Sequence, residues 1–168
     1  MKAKGHFLLT IIWSIAASAT LTILAAMPLF YRLIDVFKLP ELTYLGSKTI
    51  SYNFIRLMGY LLNPAVKKLN MPDFSSSQAG LKHFADVKQL FLLAFFLTIV
   101  LLLPTFVFIK KKCYIQFYQG IKICLIVPVF IAVIALFGGF ESIFITSHQI
   151  FFRDATWLFD PATDPVIN

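Results

Sequence analysis

Three stretches of this 168-residue chain, 6–30, 90–109 and 123–140, contain no Asp, Glu, Lys or Arg. Crossing a hydrocarbon core of roughly 30 Å takes about 20 apolar residues in a helix rising about 1.5 Å per residue. Runs of this kind restrict the chain to membrane-spanning helices, because lipid leaves no partner for an open strand's backbone groups. Composition points the same way. Hydrophobic residues make up 59% of the chain and charged residues 14%, against roughly 25% charged in an ordinary soluble domain. A soluble fold of this length has too little interior to hide that much apolar surface. The expected fold is a membrane all-α bundle of three transmembrane helices, at about 6–30, 90–109 and 122–140, carrying an extracellular loop subdomain.

Local features set the ends. Lys2 and Lys4 ahead of the first run resemble the basic start of a signal peptide, and the Ala16, Ala17, Ala19 and Ala25, Ala26 stretches mimic a cleavage site. The run is longer than a signal core of about 7–15 residues, so a retained helix is expected. Pro104 is expected to kink the second helix. Lys122 opens the third and can snorkel to the interface. The formal charge of +7 divides as +6 over residues 1–30 and 90–140, +4 over 31–89 and −3 over 141–168. The positive-inside rule then makes 1–5 and 110–121 cytoplasmic, with Lys110, Lys111, Lys112 and Lys122 in or beside the turn, and puts 31–89 and 141–168 outside. The basic excess reads chiefly as topology, and no nucleic-acid partner is expected. The +4 of the outer loop suits anionic lipid headgroups.

Within the outer loop, Ile50, Phe54, Leu57, Met58 and Leu61 share one face of an amphipathic helix that Pro64 ends. Ser77 is placed to cap a helix running through His83 and Asp86 into the second span. Segments 39–44 and 49–54 are ambiguous between strand and helix.

His83 and His148 lie on the outer side of this topology, each within about a helix turn or two of a span. Asp86 follows His83 by three residues, on the same helical face, where it can orient the imidazole. Interfacial histidines also serve merely to solvate helix ends. A metal centre on His83, Asp86 and His148 would need a further ligand, and Cys113 and Cys124 fall on the opposite side and within the third span. No phosphate loop, zincin helix or nucleophile elbow is present, and no cofactor or metal is expected.

The segments Ser51-Tyr52-Asn53, Met58-Gly59-Tyr60-Leu61 and Gly80-Leu-Lys-His83-Phe-Ala-Asp86-Val87-Lys88, with His148-Gln-Ile-Phe151-Phe-Arg-Asp154-Ala-Thr-Trp157, Asp160-Pro161 and Asp164, resemble the lipoprotein intramolecular transacylases of Gram-positive bacteria. The resemblance implies a histidine-dependent membrane enzyme. It would move the sn-2 acyl chain of a diacylglyceryl-Cys lipoprotein to that lipoprotein's own N-terminal amine. It implies His83 and His148 as the functional histidines, and a fourth span that would begin where this chain stops. Asp86 is then the expected orienter, and Asn53, Tyr52 or Arg153 the oxyanion donor. Arg153 pairs equally well with Asp154 or a lipid phosphate. Expected partners are the diacylglyceryl lipoprotein and membrane lipids, while the oligomeric state is open. The competing class is a non-enzymatic accessory protein whose outer loop binds a partner. Transport is disfavoured by spans nearly free of charge.

Overall fold

The apolar runs become helices in the computed structural model, which describes residues 2–152 and 154–167. In chain order these are α1 (Lys2–Val36), α2 (Leu39–Thr43), α3 (Ser47–Leu62), α4 (Gln78–Val100), α5 (Leu102–Lys110), α6 (Tyr118–Gly138) and α7 (Phe140–Phe151), with single 3-10 turns at Cys113–Ile115 and Pro165–Ile167. Among the described residues there is no strand, and the segments 39–44 and 49–54 are helical except for Tyr44, which ends α2 in a left-handed conformation. Three stretches are long and apolar enough to cross a membrane: Ala3–Val36, Gln78–Lys110 and Tyr118–Phe137.

α1 outruns its apolar run at both ends, because backbone hydrogen bonding continues past the last hydrophobic residue. α1 has 35 residues, about 52 Å at 1.5 Å per residue, so it extends well beyond a hydrocarbon core. Its buried residues Ala16, Thr20, Ile23 and Ile34 fall on one stripe. The kink expected at Pro104 takes the form of a break. A proline ring clashes with the carbonyl four residues back, here that of Val100, and α4 ends at that residue. The ladder resumes when the Thr105 N–H donates to the Leu101 carbonyl at 3.1 Å.

The chain divides into two compact units, residues 1–18 with 95–153, and 19–94 with 154–168. In the first, Phe7 stacks on Phe117 at 4.5 Å and lies 6.1 Å from Phe108. Trp13 Nε1 donates to the Thr98 carbonyl at 2.9 Å. Lys112, at φ 51°, reverses the chain in the lysine-rich turn. No described residue of α6 is buried, as suits a helix facing lipid.

In the second unit α3 is the amphipathic helix expected, starting three residues earlier, at Ser47. Ile50, Met58 and Leu61 are buried, together with Asn53 and Tyr60, while Phe54 and Leu57 are half-buried. Phe54 stacks on Phe30 at 3.8 Å. Beneath α3 lies a cavity of about 280 Å³ lined by Phe30, Ile50, Phe54, Met71, Phe74 and Val166 among others. Lys88, at the expected border of the second span, is buried. Its ammonium donates to the carbonyls of Asn63, at 2.9 Å, and Val66, and sits 4.3 Å over the Tyr60 ring. It thereby ties the turn that follows α3 to α4.

Candidate active site

The start of α4 is built from short polar residues. Ser77 Oγ accepts the Gly80 N–H at 2.9 Å, the N-cap arrangement that the sequence suggests. A residue from the far end of the chain completes it. Asp164 Oδ1 accepts the Ser77 N–H at 2.7 Å, and Asp164 Oδ2 accepts the Thr163 hydroxyl at 3.0 Å. Ser75 Oγ donates to the Thr163 carbonyl at 3.1 Å. The tail turns sharply to reach this position. The Asp160 carboxylate accepts the Ala162 N–H at 2.9 Å, and its carbonyl accepts the Thr163 and Asp164 N–H groups, a side-chain-mimicked turn. Asp164 is 2% exposed. Burial by itself would push its carboxyl up, but the Ser77 and Thr163 hydrogen bonds outweigh that and hold it below the ordinary carboxylate value. Gly80 makes room for it: a Cβ there would stand 2.3 Å from Asp164 Oδ1.

His83 lies one turn further along α4 and is 6% exposed. Phe159 meets its ring at 5.4 Å and 79°, and the Phe84 ring lies 6.3 Å away. Phe84 and Phe159 in turn contact each other at 5.5 Å. Asp86 is half-buried on the same helix, and its charge adds in a small way to that of Asp154 in raising the Lys82 ammonium. Lys82 pairs with Asp154. Asp154 also accepts the Thr156 hydroxyl at 2.6 Å. The Lys82 hydrogen bond, followed by that of Thr156, lowers the Asp154 carboxyl to about 2.

Asn53 and Tyr52, neighbours in sequence, have opposite surroundings. Asn53 is 2% exposed. Its Nδ2 donates to the Thr49 carbonyl at 2.9 Å and to Asp73 Oδ2 at 2.7 Å, while its Oδ1 accepts the Asp73 N–H at 3.3 Å. One amide hydrogen and the Oδ1 acceptor therefore hold Asp73 and its loop against α3, while the other hydrogen is taken within the helix by Thr49. Tyr52 is 50% exposed.

His148 belongs to the other unit, on α7. Its Nδ1 lies 2.8 Å from the Phe144 carbonyl, and its ring lies against Phe144 at 4.0 Å and Phe152 at 5.4 Å. A carbonyl only accepts, so Nδ1 carries the hydrogen, and in the neutral ring Nε2 holds the lone pair. Arg153 lies outside the described residues.

Of the residues singled out by sequence, the structure joins Asp154 to the His83 helix through Lys82. Among the described residues no group of three or more His, Cys, Asp and Glu side chains could hold a metal ion. Gly80, Phe159, Asp73 and Asp164 carry no local signal of their parts here, since each works through a partner distant in sequence.

The comparisons with known proteins bear on the whole chain. The family model for lipoprotein intramolecular transacylase Lit matches residues 5–168. The membrane integral lipoprotein intramolecular transacylase Lit from Bacillus cereus, solved in meso, superposes with a TM-score of 0.82 at 26% identity, covering 98% of this chain and 80% of the other. Two structures of that protein bearing a single histidine substitution, to arginine or to alanine, give 0.74 and 0.75, again at 26% identity and 98% coverage of this chain, with 76% and 78% of the other. No curated protein sequence matches.

Proposed function

The chain belongs to the lipoprotein intramolecular transacylase family, and from that premise we propose that His83 and His148 carry the proton transfers of its reaction. It is a membrane-integral enzyme, and the accessory-protein reading is not favoured. The reaction moves one acyl chain from the sn-2 oxygen of a diacylglyceryl-Cys to the amine of the same residue, leaving a lyso lipoprotein. The N–C bond forms, the ester C–O bond breaks, and one proton passes from nitrogen to the glycerol oxygen. An amide is more stable than an ester, so no activated donor is required. Amine nitrogen, two cysteine carbons, sulfur, two glycerol carbons, ester oxygen and acyl carbon close an eight-membered ring. The obstacle is bringing the ends of a flexible group together, which a protein overcomes by holding them in place.

Two proton positions must then be managed. An α-amine titrates near pH ~8, so much of it is ammonium at neutral pH. A base removes its proton and an acid protonates the departing oxygen. The observation that carries the assignment is the Nδ1–H to Phe144 carbonyl bond. It supports His148 as the base, with the lone pair on Nε2. His83, seated between Phe84 and Phe159, is the acid. Asp86 supplies negative charge near His83. Tyr52 and Arg153 are the oxyanion donors to test, because the Asn53 amide hydrogens are already taken by Thr49 and Asp73. Asp154 anchors Lys82. The substrate is the diacylglyceryl lipoprotein, held among membrane lipids. The lysine-rich 110–112 turn supports a cytoplasmic N-terminus and a reaction at the extracellular face.

Mass spectrometry of lipoprotein N-terminal peptides from a host making this chain tests the reading. N-acyl lyso peptides are expected with the wild-type chain, and unchanged diacylglyceryl peptides with His83→Ala or His148→Ala present at normal amounts. Full conversion by either variant removes that histidine from the mechanism.

A further inference from the structure

Residues 154–164 are fastened to the start of α4 at both ends. At one end Asp154 pairs with Lys82. At the other, Asp164 binds the Ser77 N–H and fills the space that Gly80 leaves. Phe159 stands midway, five residues from each anchor, with its ring set at 79° to that of His83. We propose that this segment is a positioning strap for His83, with Asp164 and Gly80 as its clasp and Phe159 as the part that acts on the imidazole. The proposal rests on the reading of His83 as a proton-transfer residue.

The clasp is specific. A carboxylate is favoured at a helix N-terminus, this one is 2% exposed, and any side chain at Gly80 displaces it. The strap also has something to do. The torsion that sets an imidazole's plane is broad and roughly two-fold, so backbone position leaves the ring free to turn. Rings packed against it remove that freedom. Phe84 comes from the histidine's own helix, whereas Phe159 is delivered by the strap. A proton transfer requires the donor nitrogen to be held close to its partner, and misplacement of about 1 Å lowers rate by roughly a hundredfold.

The test uses the full chain in lipid nanodiscs with a synthetic diacylglyceryl lipopeptide, the lyso product being counted by mass spectrometry. Gly80→Ala, Asp164→Ala and Phe159→Leu should each lower kcat by roughly ten- to a hundredfold with KM little changed. Asp164→Asn, which keeps an acceptor for the Ser77 N–H, should recover most of the rate. Wild-type kcat in Phe159→Leu and Asp164→Ala overturns the strap, as does a rise in KM at unchanged kcat, which would put these residues against the substrate. Should Gly80→Ala or Asp164→Ala fail to fold, Phe159→Leu decides, since it leaves the clasp intact. His83→Ala at full kcat would instead overturn the reading of His83. An inactive His83→Ala beside fully active strap variants removes the strap alone.

Discussion

A histidine whose Nδ1 is committed to its own helix can act as a base only through Nε2, and His148 is in that condition. His148→Asn keeps an amide donor for the Phe144 carbonyl and has no basic nitrogen. Its kcat should fall by roughly 10²–10⁴, the usual contribution of a general base, with normal amounts of protein in the membrane. Retained turnover would make the ring a structural element of α7. Asn53 shows the opposite case, a polar residue with its donors already engaged. Asn53→Ala leaves Asp73 without its side-chain partner and should destabilise the second unit by about 1–3 kcal/mol. A double-mutant cycle with Asp73→Ala should show coupling between the two. Asp154 gives a pH dependence with a definite sign. Its folded value of about 2 lies below the ordinary 3.8. The stabilisation from its pairing is therefore fully present above pH ~4 and lost as pH falls through about 2. Trp157, three residues on, reports this in a Trp13→Phe background. Its emission should hold steady from about pH 8 to pH 5 and shift red only in the acid window. In Lys82→Met the change should move toward higher pH. A red shift already complete at about pH 5 would contradict the pairing.

At the scale of elements, the sequence locates helices better than it locates their ends. Transfer of apolar residues into lipid adds along a run, so 6–30, 90–109 and 123–140 point to the three helices long and apolar enough to cross a membrane. Helix ends follow caps and backbone geometry instead. α4 begins at Gln78, twelve residues before Leu90, because Ser77 caps it there. α1 reaches Val36 because Pro28, well inside it, does not end it. Segment 39–44 resolves as the short helix α2, which opens with Pro40 in its first turn. The His83 surroundings were only partly legible. The three-residue spacing to Asp86 was readable, but the Phe159 contact joins residues 76 apart, and no local period encodes such a pairing. Gly139 is an element boundary with a clear physical demand. At φ 96° and ψ 117° it divides α6 from α7 in a conformation open to glycine. Gly139→Ala should lower stability by about 1–3 kcal/mol, read as a reduced thermal midpoint in detergent, while Gly59→Ala, with open space around it on α3, should cost little.

At the scale of the whole molecule, the question is which way the chain threads the bilayer. If all three apolar stretches cross, the N-terminus and the 110–117 turn share one side, and residues 31–77 and the tail share the other. The lysines of the turn argue that its side is cytoplasmic, because positive residues near span ends stay there. The chain contains its own reporter. Cys113 is half-buried, right after Lys112, and Cys124 is exposed on α6, where the surrounding medium is hydrocarbon if α6 spans. A membrane-impermeant maleimide reacts with thiolate in water. In whole cells of a Cys124→Ser variant it should leave Cys113 unmodified, and it should label that residue once the membrane is permeabilised. Labelling in intact cells would invert the topology and put His83 and His148 on the cytoplasmic side. The lipoprotein amine and the histidines must meet on one face of the membrane, so that inversion would also place the substrate's reacting end inside. One cysteine in the turn therefore tests both the threading of the helices and the side on which acyl transfer takes place.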